Sequence, residues 1–135
     1  IESREDGNRV SIFLSVFNVH VVRSPVGGKI VDSIYRKGKF LLAFDERASL
    51  ENEQQIFVVE GERKITFSLI AGLVARRIIP WKMPGEQVAR GDRMALIRFG
   101  SRVDIWIPPE CDLNVRIGDR VRGGSSVLAR SKEPV

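Results

Sequence analysis

The stretch LIRFGSRVDIWIP, residues 96–108, contains two apolar runs on either side of a Gly100-Ser101 pair. Each run is rich in β-branched and aromatic residues, which is typical of a β-strand. Glycine inside such a pattern often marks a β-bulge or a turn. The stretch therefore predicts two strands that meet at Gly100-Ser101. It leaves open whether that pair is only structural or is a site of chemistry.

Similar strand-like runs, separated by turn residues, continue along the rest of the chain. IFVVEGERKITFSLI, residues 56–70, predicts a hairpin that turns at residues 60–63. Two related phrases, GEQVARGDRMALI at residues 85–97 and GDRVRGGSSVLA at residues 118–129, each place an acidic residue and a valine between glycines. This pattern is typical of the half-barrels of biotinyl and lipoyl carriers, where glycine supplies a positive φ and valine fills the barrel end.

We therefore predict a mainly β fold, a β-rich barrel or sandwich with two related half-barrel segments and at most one or two short helices. The 135 residues fit a single domain that is long enough for its own hydrophobic core. No apolar run approaches the roughly 20 residues of a membrane-spanning helix, and the residues given predict no signal peptide. Because the chain begins with Ile1, we expect that an N-terminal segment of the full protein is missing from it.

The charge of the chain is basic and uneven. It has 22 basic and 17 acidic residues, a net charge of +5, yet residues 45–62 hold six acidic residues and one arginine. The remainder is therefore strongly basic. Such a surface attracts phosphate, either in nucleic acid or in anionic lipid headgroups. Composition alone does not decide between the two.

Few residues could hold a metal ion or act as a nucleophile. His20 is the only histidine and Cys111 the only cysteine, so neither a disulfide nor a metal site is predicted. Within its strand, His20 is either a half-buried structural residue or a proton donor and acceptor. Cys111 is interpreted as incidental, and Ser125-Ser126, at a second Gly-Ser junction, as a hairpin turn.

Two basic features have both a structural and a functional interpretation. Arg76 and Arg77 end the apolar run LIAGLVA and precede Trp81, so they either emerge into solvent or form a patch at a lipid surface. Lys82-Met83 matches part of the hairpin turn to which carriers attach biotin. Trp81 replaces the first methionine of that turn, so the match is partial.

Several phrases taken together resemble one family. In chain order the phrases are FLSVFNVHVVRSPVGGKI, GKFLLAF, ENEQ, IAGLVARRI, GDRMALIRFGSRVDIWIP and VRIGDRVRGG. Together they are similar to the short bacterial and archaeal phosphatidylserine decarboxylases. The similarity runs from about residue 11 to residue 129. It implies a lyase made as a zymogen that cuts itself before the serine of an FGS motif, here between Gly100 and Ser101. A single catalytic domain, residues 1–135, would then consist of a β-chain part, residues 1–100, and an α-chain part, residues 101–135.

The same resemblance implies the chemistry of the cut. The Ser101 hydroxyl attacks the Gly100 carbonyl, the resulting ester is eliminated, and hydrolysis leaves a pyruvoyl group, the cofactor, in place of Ser101. Glycine before the serine lets the backbone fold sharply enough for this attack. The family motif puts His20 in the role of base, and we expect His20 also to donate the proton during decarboxylation. Arg76, Arg77 and Arg102 are the candidates for substrate binding.

The implied reaction converts phosphatidylserine in an anionic membrane to phosphatidylethanolamine. We expect a peripheral enzyme at the cytoplasmic face of the cell membrane that remains bound to its own cleaved chain, with a homodimer left open and no nucleic acid as partner. Basic residues near such a surface contribute about 1 kcal/mol each. The alternatives are a non-catalytic carrier-like module that uses Lys82 and a basic nucleic-acid-binding β-barrel. The phenylalanines lie in apolar runs rather than among basic residues, unlike a base-stacking platform.

One family feature does not match. The family's self-processing triad includes an aspartate in a DG phrase well before the histidine, whereas Asp6 of EDGNRV precedes His20 by only fourteen positions. We assign Asp6 to a loop and expect the triad aspartate upstream of this sequence. A chain without that aspartate is expected to process poorly or not at all.

Overall fold

A computed structural model describes residues 2–4, 7–13, 20–38, 52–71, 78–80, 82–97, 102–121 and 127–131. These residues form twelve β-strands and no helix, which confirms the expected mainly β class. In chain order the strands are β1 (Glu2–Arg4), β2 (Gly7–Phe13), β3 (His20–Arg23), β4 (Gly28–Arg36), β5 (Gln54–Glu60), β6 (Lys64–Ile70), β7 (Ile78–Pro80), β8 (Gln87–Val88), β9 (Arg93–Ile97), β10 (Arg102–Ile107), β11 (Cys111–Leu113) and β12 (Ala129–Ser131).

The described strands form three open antiparallel sheets. The largest has seven strands in the order β1-β2-β10-β6-β5-β4-β8, the second has the order β3-β9-β7, and β11 and β12 form a two-stranded ribbon. The hairpin expected around residues 60–63 joins β5 to β6, with Glu60 opposite Lys64. Most other neighbours are distant in sequence, so the sheet order is set by long-range pairing.

The hydrophobic core lies against one face of the seven-stranded sheet. Alternate residues of the central strands point into it, as the two-residue period of a strand requires. The rings of Phe57 and Phe67, which are directly opposite on β5 and β6, are stacked with centroids 5.4 Å apart. Burying each such ring stabilises the fold by roughly 1.5–3 kcal/mol. The other buried residues of the core cluster that β5, β6 and β10 contribute are Val59, Ile65, Leu69, Val103, Ile105 and Ile107.

The two related phrases of the sequence share one tight turn. Gly85 and Gly118 have φ of +94° and +92°, and in each turn the residue after the glycine donates a backbone hydrogen bond to the residue three positions before it. This is the geometry of a type II turn, which favours glycine at its third position. A third copy ends at Gly91, with φ +89°. In all three copies, the carboxylate that follows the glycine also accepts a hydrogen bond from the first backbone N–H of the turn.

Candidate functional site

Three strands of the seven-stranded sheet end side by side in one row. Phe13, the last residue of β2, is opposite Arg102, the first residue of β10. Arg102 is in turn opposite Ile70, the last residue of β6. The three positions therefore lie at the same edge of the sheet.

A second row of three lies at the edge of the three-stranded sheet. His20, the first residue of β3, is opposite Ile97, the last residue of β9. Ile97 is opposite Ile78, the first residue of β7. The strand order β3-β9-β7 thus matches the order β2-β10-β6 of the larger sheet.

The chain links these two rows one to one. Residues 14–19 connect Phe13 to His20, residues 98–101 connect Ile97 to Arg102, and residues 71–77 connect Ile70 to Ile78. The middle link, residues 98–101, contains the Gly-Ser pair. The residues that flank it, Ile97 and Arg102, are each paired with the residues that flank both other links. This convergence depends on the pairing of strands far apart in sequence, and the local sequence pattern does not contain it.

Only part of the sequence-predicted site falls on described residues. The backbone of His20 is described, and it lies opposite Ile97, the last residue of β9, which precedes Gly100 by three positions in the sequence. The candidates that lie outside the described residues are Asp6, Arg76, Arg77, Trp81, Gly100, Ser101, Ser125 and Ser126.

Arg102 lies inside the protein. Its side chain is 4% exposed, and the guanidinium is bound at two points by the Asp104 carboxylate: Nε donates to Oδ1 at 2.7 Å and Nη2 to Oδ2 at 3.1 Å. The guanidinium carbon lies 5.5 Å from the centre of the Phe13 ring, a cation–π distance. Arg102, predicted from the sequence to bind substrate, thus contacts Asp104 and Phe13 within the sheet.

Asp104 is the member of this site that sequence reasoning missed. It is fully buried, and Arg9 Nη1 lies 3.9 Å from its Oδ2. The available signal was the spacing, because residues 102 and 104 of one strand point to the same face of the sheet. An opposite-charge pair on one face of a buried strand is a candidate ion pair.

The remaining candidates lie apart from the two rows. Lys82 is half-exposed beside the turn at Gly85, and its backbone N–H donates to the Met94 carbonyl at 3.3 Å. Cys111 is half-buried and packs against the core. Within the described ranges there is no group of three metal-ligating side chains. A helix long and apolar enough to span a membrane is likewise not found in the part of the chain that the structure describes.

Comparisons with known proteins agree on one family. The family model described as phosphatidylserine decarboxylase matches residues 2–129. A phosphatidylserine decarboxylase proenzyme from Solibacter usitatus is 50% identical over 124 residues, 91% of this chain and 61% of the relative. One from Geobacter metallireducens is 47% identical over 126 residues, 92% of this chain and 58% of the relative. One from Novosphingobium aromaticivorans is 50% identical over 127 residues, 93% of this chain and 50% of the relative.

The chain thus spans 50–61% of the length of these three relatives. No solved structure matches it significantly.

Proposed function

This chain belongs to the phosphatidylserine decarboxylase family, and we propose that it carries the self-cleaving site of an enzyme that decarboxylates phosphatidylserine. The observation that carries the proposal is the pairing of His20 with Ile97, next to the link that holds Gly100-Ser101. Residues directly opposite on antiparallel strands have Cα atoms about 4.5–5.5 Å apart. His20, the only histidine of the sequence, is the first residue of β3. Its backbone therefore lies one strand spacing from β9, the strand that precedes Gly100-Ser101.

The proposed cleavage uses residues of this chain. His20 removes the proton of the Ser101 hydroxyl, whose oxygen attacks the Gly100 carbonyl. The Ser101 nitrogen leaves and takes up a proton, so an ester replaces the amide. A base then removes the Ser101 Cα proton, and the Gly100 carboxylate leaves with the C–O bonding electrons. Ser101 becomes an N-terminal dehydroalanine, which tautomerises to an imine. Water hydrolyses the imine and releases ammonia, and the chain that begins at position 101 is left with an N-terminal ketone, the pyruvoyl group.

The two rows of residues fit a pyruvoyl group. Its atoms would come from Ser101, and it would be attached to Arg102, the first residue of β10, which is paired with β2 and β6. The pyruvoyl group would supply a ketone for the substrate amine and an acceptor for the electron pair that stays behind when carbon dioxide departs. The protein's part is to orient the substrate and to hold a proton for the carbon that loses carbon dioxide, which we assign to His20.

We assign headgroup binding to Arg76 and Arg77. They directly precede Ile78, which is opposite Ile97, so the third link would bring two cations to the link that contains Ser101. A phosphodiester is well matched by guanidinium groups, which can bind two oxygens at once. Arg102 is treated separately below, because its side chain is bound to Asp104.

The division into two chains is compatible with the sheet. Residues 101–135 would contribute β10, which lies between β2 and β6 of residues 1–100. Hydrogen bonds on both sides would therefore keep the chains together after the cut. We further propose that the enzyme acts at the cytoplasmic face of the membrane as a peripheral protein. The carrier and nucleic-acid-binding alternatives are not favoured, since the matched relatives are decarboxylase proenzymes.

A decarboxylation assay tests the proposed substrate. The protein, expressed from its complete coding sequence, is mixed with vesicles that contain phosphatidylserine labelled at the serine carboxyl, and released carbon dioxide is measured. We expect release by the wild type, none by Ser101→Ala, and unchanged release by Lys82→Ala. Release by Ser101→Ala, or its loss in Lys82→Ala alone, would overturn the proposal in favour of a lysine-based site.

A further inference from the structure

We propose that Arg102 and Asp104 are positioning residues that hold the new chain end at the site after the cut, and that Arg102 does not bind the lipid headgroup. This inference rests on the proposed self-cleavage at Gly100-Ser101. It concerns a side-chain pair that lies one residue beyond the bond to be cut.

The cut removes one of the two covalent connections that hold residue 101 in place. Before cleavage the Gly-Ser link is tied at both ends, to Ile97 of β9 and to Arg102 of β10. After cleavage the group derived from Ser101 is attached to the protein through Arg102 alone. Chain ends are poorly ordered unless something ties them down, and a reacting group that is misplaced by about 1 Å can cost about 100-fold in rate.

The backbone of β10 supplies part of the anchor. Arg102 is in register with Phe13 on one side and Ile70 on the other. The new chain would therefore begin within one residue of a strand that is paired along both edges. This placement would restrain the peptide direction at residue 101.

The side chain of Arg102 supplies the rest. Two parallel hydrogen bonds of 2.7 and 3.1 Å fix the plane of the guanidinium against Asp104, and the Phe13 ring lies against it. A two-point arginine–carboxylate contact fixes orientation as well as distance. Because Asp104 is fully buried and belongs to the same strand, the pair stiffens the first three residues of β10 as one unit.

The same contacts argue against a role in headgroup binding. A phosphate could take the Nε and Nη2 hydrogens that bind Asp104 only by displacing that carboxylate, which would then be a buried anion without this partner. Breaking a buried ion pair in that way is strongly unfavourable. The Arg102 side chain is also only 4% exposed, so little of it is within reach of a headgroup. Arg76 and Arg77, in the third link, remain the candidates for the headgroup.

The test compares this pair with a second arginine–carboxylate pair of the same chain. Arg63 Nη1 lies 2.6 Å from Glu110 Oε1, but these side chains are 32% and 49% exposed. Asp104→Asn and Arg102→Lys are matched with Glu110→Gln and Arg63→Lys, all made in the protein expressed from its complete coding sequence. Intact mass gives the rate of self-cleavage, and the cleaved enzyme is assayed for kcat and KM on vesicles that contain phosphatidylserine.

We expect both variants of the buried pair to slow cleavage by about 10- to 100-fold. The fraction that does cleave should show a kcat lowered by a similar factor and an unchanged KM. The variants of the exposed pair should match the wild type, since exposed pairs contribute little. Arg102→Lys keeps the charge and so provides a second variant if Asp104→Asn does not fold.

The possible failures are distinguishable. A raised KM with unchanged kcat would assign Arg102 to the headgroup and overturn the inference. Normal kcat and KM in the cleaved fraction, with only a lower yield of folded protein, would show a merely structural pair and would also overturn it. If the wild type itself neither cleaves nor decarboxylates, the proposed function fails, and the inference that depends on it fails with it.

Discussion

Replacing Asp104 by alanine should be among the most destabilising single changes in this sheet. The substitution is made in a Ser101→Ala background, so that a single uncut chain unfolds. It removes two hydrogen bonds to the Arg102 guanidinium, at 2.7 and 3.1 Å. It thereby takes the carboxylate from a cation whose side chain is 4% exposed in the native sheet. Removing one partner of a buried pair costs about 3–5 kcal/mol.

The neighbouring arginine changes this figure little. Arg9 lies 3.9 Å from the Asp104 carboxylate and its side chain is 20% exposed, so loss of that contact adds at most about 1 kcal/mol. The double variant Arg102→Leu with Asp104→Leu removes both charges. An apolar pair of similar size can replace a buried ion pair with little loss or with a gain, so the double variant should be more stable than Asp104→Ala.

Urea denaturation followed by circular dichroism measures these differences. We expect the midpoint of Asp104→Ala to fall with an unchanged m value, which reports a loss of stability rather than a change in the unfolded chain. A loss below about 1 kcal/mol for Asp104→Ala would refute the reasoning, because costs of that size are typical of exposed ion pairs. A double variant less stable than the single one would refute it too, because the two charges would then not be coupled.

Two further predictions concern the seven-stranded sheet. Gly28 has φ +150°, and an added Cβ would lie 2.5 Å from the Glu60 carbonyl oxygen, whereas a Cβ on Gly85, φ +94°, would meet nothing within 4 Å. Urea denaturation should therefore show a larger loss of unfolding free energy for Gly28→Ala than for Gly85→Ala, whose cost is that of the backbone alone, about 1–2 kcal/mol. Equal losses would contradict the close approach at Gly28. The Tyr35 hydroxyl donates a hydrogen bond to the Glu53 carboxylate, which raises the pKa of Tyr35 above 10.0. This bond stabilises the fold below pH 10.0, and its contribution is lost as the pH rises through the raised pKa. Ultraviolet titration of tyrosinate, taken as the difference from Tyr35→Phe, should show the pKa falling in Glu53→Gln, and an unchanged pKa would contradict the assigned cause.

The fold class followed from the sequence because it depends on local patterns. The alternating apolar residues around Phe57 and Phe67 predicted two strands and the hairpin between them, and both were found. The glycine–acid phrases predicted a repeated turn, and the turns at Gly85 and Gly118 share one geometry. Backbone stereochemistry ties glycine to these turns, so a single sequence is enough to find them.

The arrangement of the site could not be predicted in the same way. That His20 is opposite Ile97, and Arg102 opposite Phe13 and Ile70, depends on which distant strands pair and in which register. The hydrophobic pattern of each strand fixes its faces but not its neighbours. Asp104 was overlooked for a related reason, since an acidic residue in a strand ordinarily indicates a solvent-exposed face.

The most direct test of the account is the intact mass of the protein under denaturing conditions, expressed from its complete coding sequence, beside Ser101→Ala and Ser125→Ala. We predict two fragments from the wild type, separated at Gly100-Ser101. The one that begins at position 101 should be lighter by one ammonia than the same fragment with an N-terminal serine. Ser125→Ala should cleave in the same way, and Ser101→Ala should remain whole. An uncut wild-type chain, or a cut that Ser125→Ala abolishes and Ser101→Ala does not, would contradict the account.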